Sequence, residues 1–185
     1  MLDGNTMDQL LKEAEEHKDI IILTDVTVSL QTLTKRTIKS FKFALEQFEF
    51  SYMLKCDDDT FVDVLRLASE LQMRRDRTRL YWGFMSGKNA VIRYLPGAYK
   101  ETEWSLCDLY MPYAFGGGYL LSRDLIQLLA QNEAHLKLYK CEDVAVGAWL
   151  APYNIERRHD TRFDTEGRTR GCKSCLLYTS PSPRD

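Results

Sequence analysis

Tyr52-Met53-Leu54-Lys55-Cys56-Asp57-Asp58-Asp59 is the stretch that decides the fold. Its apolar start, Tyr52 to Leu54, reads as a strand, and the strand runs into three adjacent carboxylates. Upstream, Thr34 to Phe48 puts Ile38, Phe41, Leu45 and Phe48 on one face and Lys35, Arg36, Lys39 and Lys42 elsewhere, the pattern of an amphipathic helix. Further back, Ile20 to Leu23 is a short apolar run whose β-branching predicts a doubly buried strand. It follows a helix over Met7 to Lys18 with Met7, Leu10, Leu11 and Ala14 on one face. Downstream, Phe61 to Met73 predicts a helix with Phe61, Leu65, Ala68 and Met73 inward. Helices alternating with strands predict an α/β fold, a mostly parallel sheet flanked by helices. In such sheets ligands bind beyond the strand ends, where the aspartates lie.

The second half is read outward from there. Leu80 to Phe84 reads as a strand, and 86–112 as an irregular loop rich in Gly, Tyr and charge. Gly116-Gly117-Gly118 reads as a tight turn or a place where a ligand approaches backbone. Ser122 is a good N-cap for the helix after it, and a last helix starts near Glu142 and stops before Pro152.

With 185 residues, 44% apolar, the chain can bury one core. A formal net charge of −2 argues against a nucleic-acid binder that works by bulk positive charge. No apolar run is long enough to cross a bilayer, and no signal-peptide pattern follows Met1. Cys175 lies in the tail 175–185; the other four cysteines, Cys56, Cys107, Cys141 and Cys172, form no zinc-type cluster, though their even count permits two disulfides in an oxidising compartment. Residues 175–185, CLLYTSPSPRD, lack periodicity. Their codons can spell an in-frame sequencing adapter, so they are read as an artefact, with the domain occupying 1–174.

The chemistry starts from Asp57-Asp58-Asp59, because adjacent carboxylates persist most easily around a divalent cation. An EF-hand is excluded, since its ligands alternate and require glycine at the sixth loop position. A metal-dependent phosphatase of the D-x-D-x-T type stays open, although Thr60 comes one place early. Glu142-Asp143 opens a helix whose dipole favours carboxylates; beside a metal site, that makes a candidate general base.

In order, Asp57-Asp58-Asp59, Pro112-Tyr113-x-x-Gly116-Gly117-Gly118-Tyr119 and Glu142-Asp143-Val144-x-x-Gly147 resemble the fringe-related β-1,3-glycosyltransferases, an inverting family of GT-A type. Asp25 to Thr34 resembles that family's D-F-x-D-x-Y-x-N-L-T stretch, with Val28, Leu30 and Thr32 replacing the second Asp, the Tyr and the Asn. Leu80 to Phe84, Tyr110 to Ala114, Gly147 to Pro152 and His159 to Glu166 resemble in particular a member that adds a galactose to the glycosaminoglycan linkage region. The resemblance covers about residues 10 to 173.

The resemblance implies a partial GT-A-type domain that transfers galactose from UDP-galactose to a galactosyl-xylosyl proteoglycan acceptor. Manganese (Mn2+) is the implied cofactor, with Asp59, Asp57 and His159 as its ligands and Asp143 as the catalytic base. Asp57, Asp58, Trp82, Trp104, Tyr113, Gly116, Gly117, Gly118 and Glu142 are the implied substrate-binding residues. It further implies a Golgi membrane protein with a luminal active site, an anchor and opening uridine-binding strands outside this chain, and so a chain inactive alone. Transfer of N-acetylglucosamine, and a non-catalytic fragment, are the alternatives.

Overall fold

The computed structural model describes residues 4–22, 32–93, 100–165 and 175–179. Asp25 to Thr32 thus falls largely outside the described residues. The apolar stretch ahead of the aspartates forms β1, Tyr52–Cys56. It is paired by β4, Tyr113–Ser122, with Leu54 opposite Leu120 and Lys55 opposite Tyr119. Next to β4 lies β3, Leu80–Ser86, and then β5, Glu156–His159, so the sheet order is β1-β4-β3-β5.

Side chains that alternate along these strands enter two different cores. Tyr81, Tyr119 and Leu121 pack with Ile38 and Phe41 of α2, Leu33–Gln47, and with Leu125, Ile126 and Leu129 of α4, Arg123–Gln131. The same layer holds α5, Glu142–Leu150, which is buried nearly all round, as its apolar composition requires. On the other face Leu80, Trp82 and Leu120 pack with Leu67 of α3, Val64–Gln72, and with Phe163. Helices thus flank a sheet covered on both faces, an α/β architecture. The N-terminal helix α1 spans Gly4–His17.

Five expectations are corrected. The sheet is mainly antiparallel among the described residues: β1–β4 and β3–β4 are antiparallel, and only β3–β5 is parallel. The long connection after β3 carries no helix among its described residues, so β4 can return beside β3 in the opposite direction. Ile20 to Ile22 forms no strand, and Ile21 is 49% exposed. Among the described residues β1 has a partner on one side only, which leaves nothing to pair this run in register.

The third helix starts later than its pattern suggested. Thr60–Val62 forms β2 instead, and Asp63 caps α3 by accepting from the Arg66 N–H at 3.1 Å. That start turns Leu67 inward and leaves Phe61, Leu65 and Met73 exposed. The glycine run is strand, not turn, and lies within β4. Finally, Leu177–Thr179 forms β6 against β2, a strand in a segment without strand periodicity.

Gly147 shows how closely α5 sits on β4. A Cβ there would overlap Tyr113 Cβ and lie 2.8 Å from the Pro112 carbonyl oxygen. Gly147→Ala is therefore expected to lower stability by about 1–3 kcal/mol through overpacking, despite alanine's better helix propensity. Urea unfolding reads the loss; an unchanged or raised midpoint would contradict this packing.

Candidate active site

The three aspartates follow β1 as an exposed turn. The Thr60 N–H donates to the Asp57 carbonyl at 3.1 Å, and the Thr60 hydroxyl donates to the Gly117 carbonyl at 3.0 Å. The acidic turn is therefore tied to the glycine run rather than free in solvent.

The glycine run is where β4 departs from β3. Gly83 pairs Tyr119, but Met85 pairs Ala114, so β4 bulges by several residues between these points. Glycine is required there for close approach. A Cβ on Gly117 would overlap the Thr165 side chain, one on Gly118 would overlap Leu177, and one on Gly116 would lie 3.3 Å from Glu142 Oε1. What approaches Gly117 is the Thr165 side chain, and Gly118 meets Leu177 of the 175–185 tail.

The bulge brings the start of α5 to the end of β1. Gly116 N–H donates to Asp143 Oδ2 at 3.1 Å, and Val144 N–H donates to Asp143 Oδ1 at 2.8 Å. Lys55 Nζ lies 2.7 Å from Glu142 Oε1, from Asp57 Oδ1 and from the Gly116 carbonyl oxygen. Tyr119, fully buried, donates its hydroxyl to Glu142 Oε2 at 2.7 Å. Burial opposes the charge on Lys55, but the carboxylates of Glu142 and Asp57 outweigh it and hold the ammonium above its usual pKa. Desolvation, reinforced by the negative charge of Glu142, pushes the Asp143 carboxyl up to about 7. Asp143 is still partly accessible, so it has the pKa and the access of a proton acceptor working near neutrality. Beside this site a cleft of about 450 Å³ opens between Arg36, Thr37 and Ser40 of α2 and Met53, Lys55 and Asp57.

Asp57, Gly116, Glu142 and Asp143 are thus brought together, with Asp58 and Asp59 on the same turn. Glu142 is spoken for: it is 3% exposed and both its oxygens are engaged, which fits support of the site rather than contact with substrate. The aromatic residues do not form sugar platforms. Trp82, Trp104 and Tyr113 are 0%, 1% and 5% exposed, their ring faces taken by core neighbours.

His159 is set apart. It lies on β5, three strand spacings from β1, or about 14 Å across the sheet. Its Nδ1 accepts from the Met85 N–H at 3.0 Å, which in the neutral ring puts the proton on Nε2 and leaves no lone pair for a metal.

Among the described residues no three His, Cys, Asp or Glu side chains converge on a point. The acidic turn still fits a hard cation. Its donors are exposed carboxylate oxygens, which suit manganese, and a diphosphate-bound ion needs only one or two protein carboxylates.

Lys55, Tyr119 and Thr60 were not among the expected site residues. Lys55 had a readable signal: a lysine inside an apolar strand, two residues before an acidic cluster and so on the same strand face as Asp57. Tyr119 closed the quoted glycine motif but carried no role there, and Thr60 had no signal; the register of β1 with β4 brings in the first and the β4 bulge the second.

The chain is 40% identical over 177 residues to Mus musculus β-1,3-galactosyltransferase 6, covering 94% of this chain and 54% of that protein. It is 34% identical over 176 residues to Danio rerio UDP-GalNAc:β-1,3-N-acetylgalactosaminyltransferase 2, covering 95% of this chain and 34% of that protein. With Arabidopsis thaliana hydroxyproline O-galactosyltransferase GALT2 it shares 31% identity over 180 residues, covering 94% of this chain and 26% of that protein. The chain therefore spans about half the length of the mouse relative and about a third or less of the other two. Among the described residues no helix is long and apolar enough to cross a membrane. Residues 1–161 match the galactosyltransferase family model, and the chain belongs to that family.

Proposed function

We propose that this protein is an inverting β-1,3-galactosyltransferase, with UDP-galactose as donor and a terminal galactose of the galactosyl-xylosyl proteoglycan linkage as acceptor. It works in the Golgi lumen as part of a membrane-anchored protein. The observation that carries the reading is Asp143: a partly accessible carboxylate at a helix start, with its pKa raised to about 7, next to the acidic turn.

Asp143 accepts the proton of the acceptor 3-hydroxyl as its oxygen attacks the anomeric carbon. The bond from that carbon to UDP breaks on the opposite face, so configuration inverts. Gly116 N–H and the helix start hold the carboxylate in place for this step. Asp57 and Asp59 would hold manganese, with Asp58 beside them on the same exposed turn. The metal, when bound, supplies Lewis-acid neutralisation of the departing diphosphate.

The working form of Asp143 is the deprotonated one. The acid limb of kcat/KM is therefore expected to rise with pH from a midpoint above the usual carboxylate range, because burial and Glu142 raise the Asp143 carboxyl, and to vanish in Asp143→Asn. A pH-independent rate from pH 5 to 8, measured with saturating manganese, would contradict the assignment.

Transfer of an N-acetylhexosamine is the second reading, favoured by the 34% identity to the Danio rerio protein named for UDP-GalNAc. The test is a donor panel of UDP-galactose, UDP-GalNAc and UDP-GlcNAc with a galactosyl-xyloside acceptor, using the full-length protein. UDP-galactose is expected to lead by at least about tenfold in kcat/KM. Preference for either acetylated donor would replace the proposed one.

A further inference from the structure

The proposed reaction assigns no role to Lys55, yet Lys55 is the most heavily engaged side chain at the site. It touches both halves of the machinery, the acidic turn through Asp57 and the start of α5 through Glu142. Its third contact, the Gly116 carbonyl, belongs to the peptide unit that follows the N–H holding Asp143. An ammonium has three donors, and all three are engaged at 2.7 Å. With a side chain only 18% exposed, it has no donor left for substrate.

We propose that Lys55, paired with buried Glu142, is a positioning residue that locks the acidic turn to the base-bearing start of α5 and so sets the distance between donor site and catalytic base. The inference rests on the proposed roles of the acidic turn and Asp143.

Three features make the lock specific. Glu142 is 3% exposed, and its other oxygen is held by the fully buried Tyr119, so the carboxylate cannot move to follow a displaced turn. Losing Lys55 leaves that carboxylate as a buried charge without its counter-ion, next to Asp143. Lys55 and Tyr119 also face each other in register across β1 and β4, so the pair rests on paired strands instead of on a loop.

The test is a double-mutant cycle of Lys55→Met and Glu142→Gln in the full-length protein. It is read twice, in UDP affinity by calorimetry with Mn2+ and in kcat for transfer. Lys55→Met is expected to weaken UDP by at least about fivefold and to lower kcat about 10- to 100-fold, because a misplacement of about 1 Å is that costly. Glu142→Gln removes the stranded charge, so the double variant should lose less than the product of the single losses, by about tenfold or more. A merely stabilising lysine would lower the unfolding midpoint and leave kcat per folded molecule unchanged. Where Lys55→Met does not fold, Lys55→Gln serves in the same cycle, because it removes the counter-ion of Glu142 while keeping a hydrogen-bonding group.

Single losses that multiply to within twofold, or wild-type UDP affinity in Lys55→Met, overturn the proposal. Asp143→Asn in the same assays separates this from the base assignment: normal turnover in that variant sinks the base, while the Lys55–Glu142 coupling is still read in UDP binding.

Discussion

Asp143→Asn is expected to lower turnover by roughly 10²–10⁴-fold, the range of a lost general base, while UDP affinity in manganese stays within about twofold of wild type. The substitution is nearly isosteric. The introduced amide oxygen can still accept from Gly116 N–H, so the α5 start keeps its contact with the β4 bulge, while the NH2 replaces the oxygen that accepts from Val144 N–H and that bond is lost. What it loses is the ability to take a proton from the acceptor hydroxyl. Asp59→Ala is the counterpart. Asp59 lies on the exposed turn, so its loss should weaken manganese and UDP together without shifting the pH dependence of the remaining activity. Calorimetry with UDP beside transfer to a galactosyl-xyloside measures both. If Asp143→Asn loses UDP and manganese as severely as Asp59→Ala does, Asp143 belongs to the cation site and the base is another group.

Trp82→Ala should cost about 3–5 kcal/mol of stability, the usual loss for a large aromatic removed from a core. Trp82 is fully buried on β3, with the Phe163 ring 5.1 Å away and the Arg158 guanidinium 4.2 Å from its ring centre. Its indole N–H donates to Asp160 Oδ2 at 3.1 Å, and Asp160 in turn pairs with Arg162, which reaches Glu70 on α3. Removing the ring opens a void and releases one end of that chain. Urea unfolding gives the magnitude. A Trp82→Ala variant of wild-type stability with a selectively raised donor or acceptor KM would instead restore this tryptophan to the sugar site.

The outcome for Trp82 shows where reading a sequence stops. Tryptophan suits a sugar face and a core equally, and nothing within Leu80 to Phe84 distinguishes the two. The decision lies with α3 and Phe163, which cover that face of the sheet. His159 is a similar case: an imidazole near acidic motifs is chemically apt for manganese, but the hydrogen bond from Met85 and the intervening strands take it out of reach. Strand direction was equally hidden. Alternating helices and strands suggest parallel pairing, yet apolar periodicity says which face of a strand is buried and not which way its neighbour runs.

Local sequence dictates most of the helices, the strands β1 and β3, and the chemical inventory. The amphipathic faces of α2 and α4, the buried character of α5, and carboxylates at a strand end and at a helix start are local properties, encoded within a few turns or one strand. Tertiary structure alone decided which of those groups meet. The bulge of β4 carries Gly116 against Asp143, and the register of β1 with β4 sets Lys55 beside Tyr119, so that Lys55, Asp57, Glu142 and Asp143 share one site although they are separated by up to 88 residues. The physical reason is that hydrogen bonding and burial act on distance in space. A contact such as Lys55 to Glu142 exists only once the strands and the helix that carry the two residues have packed.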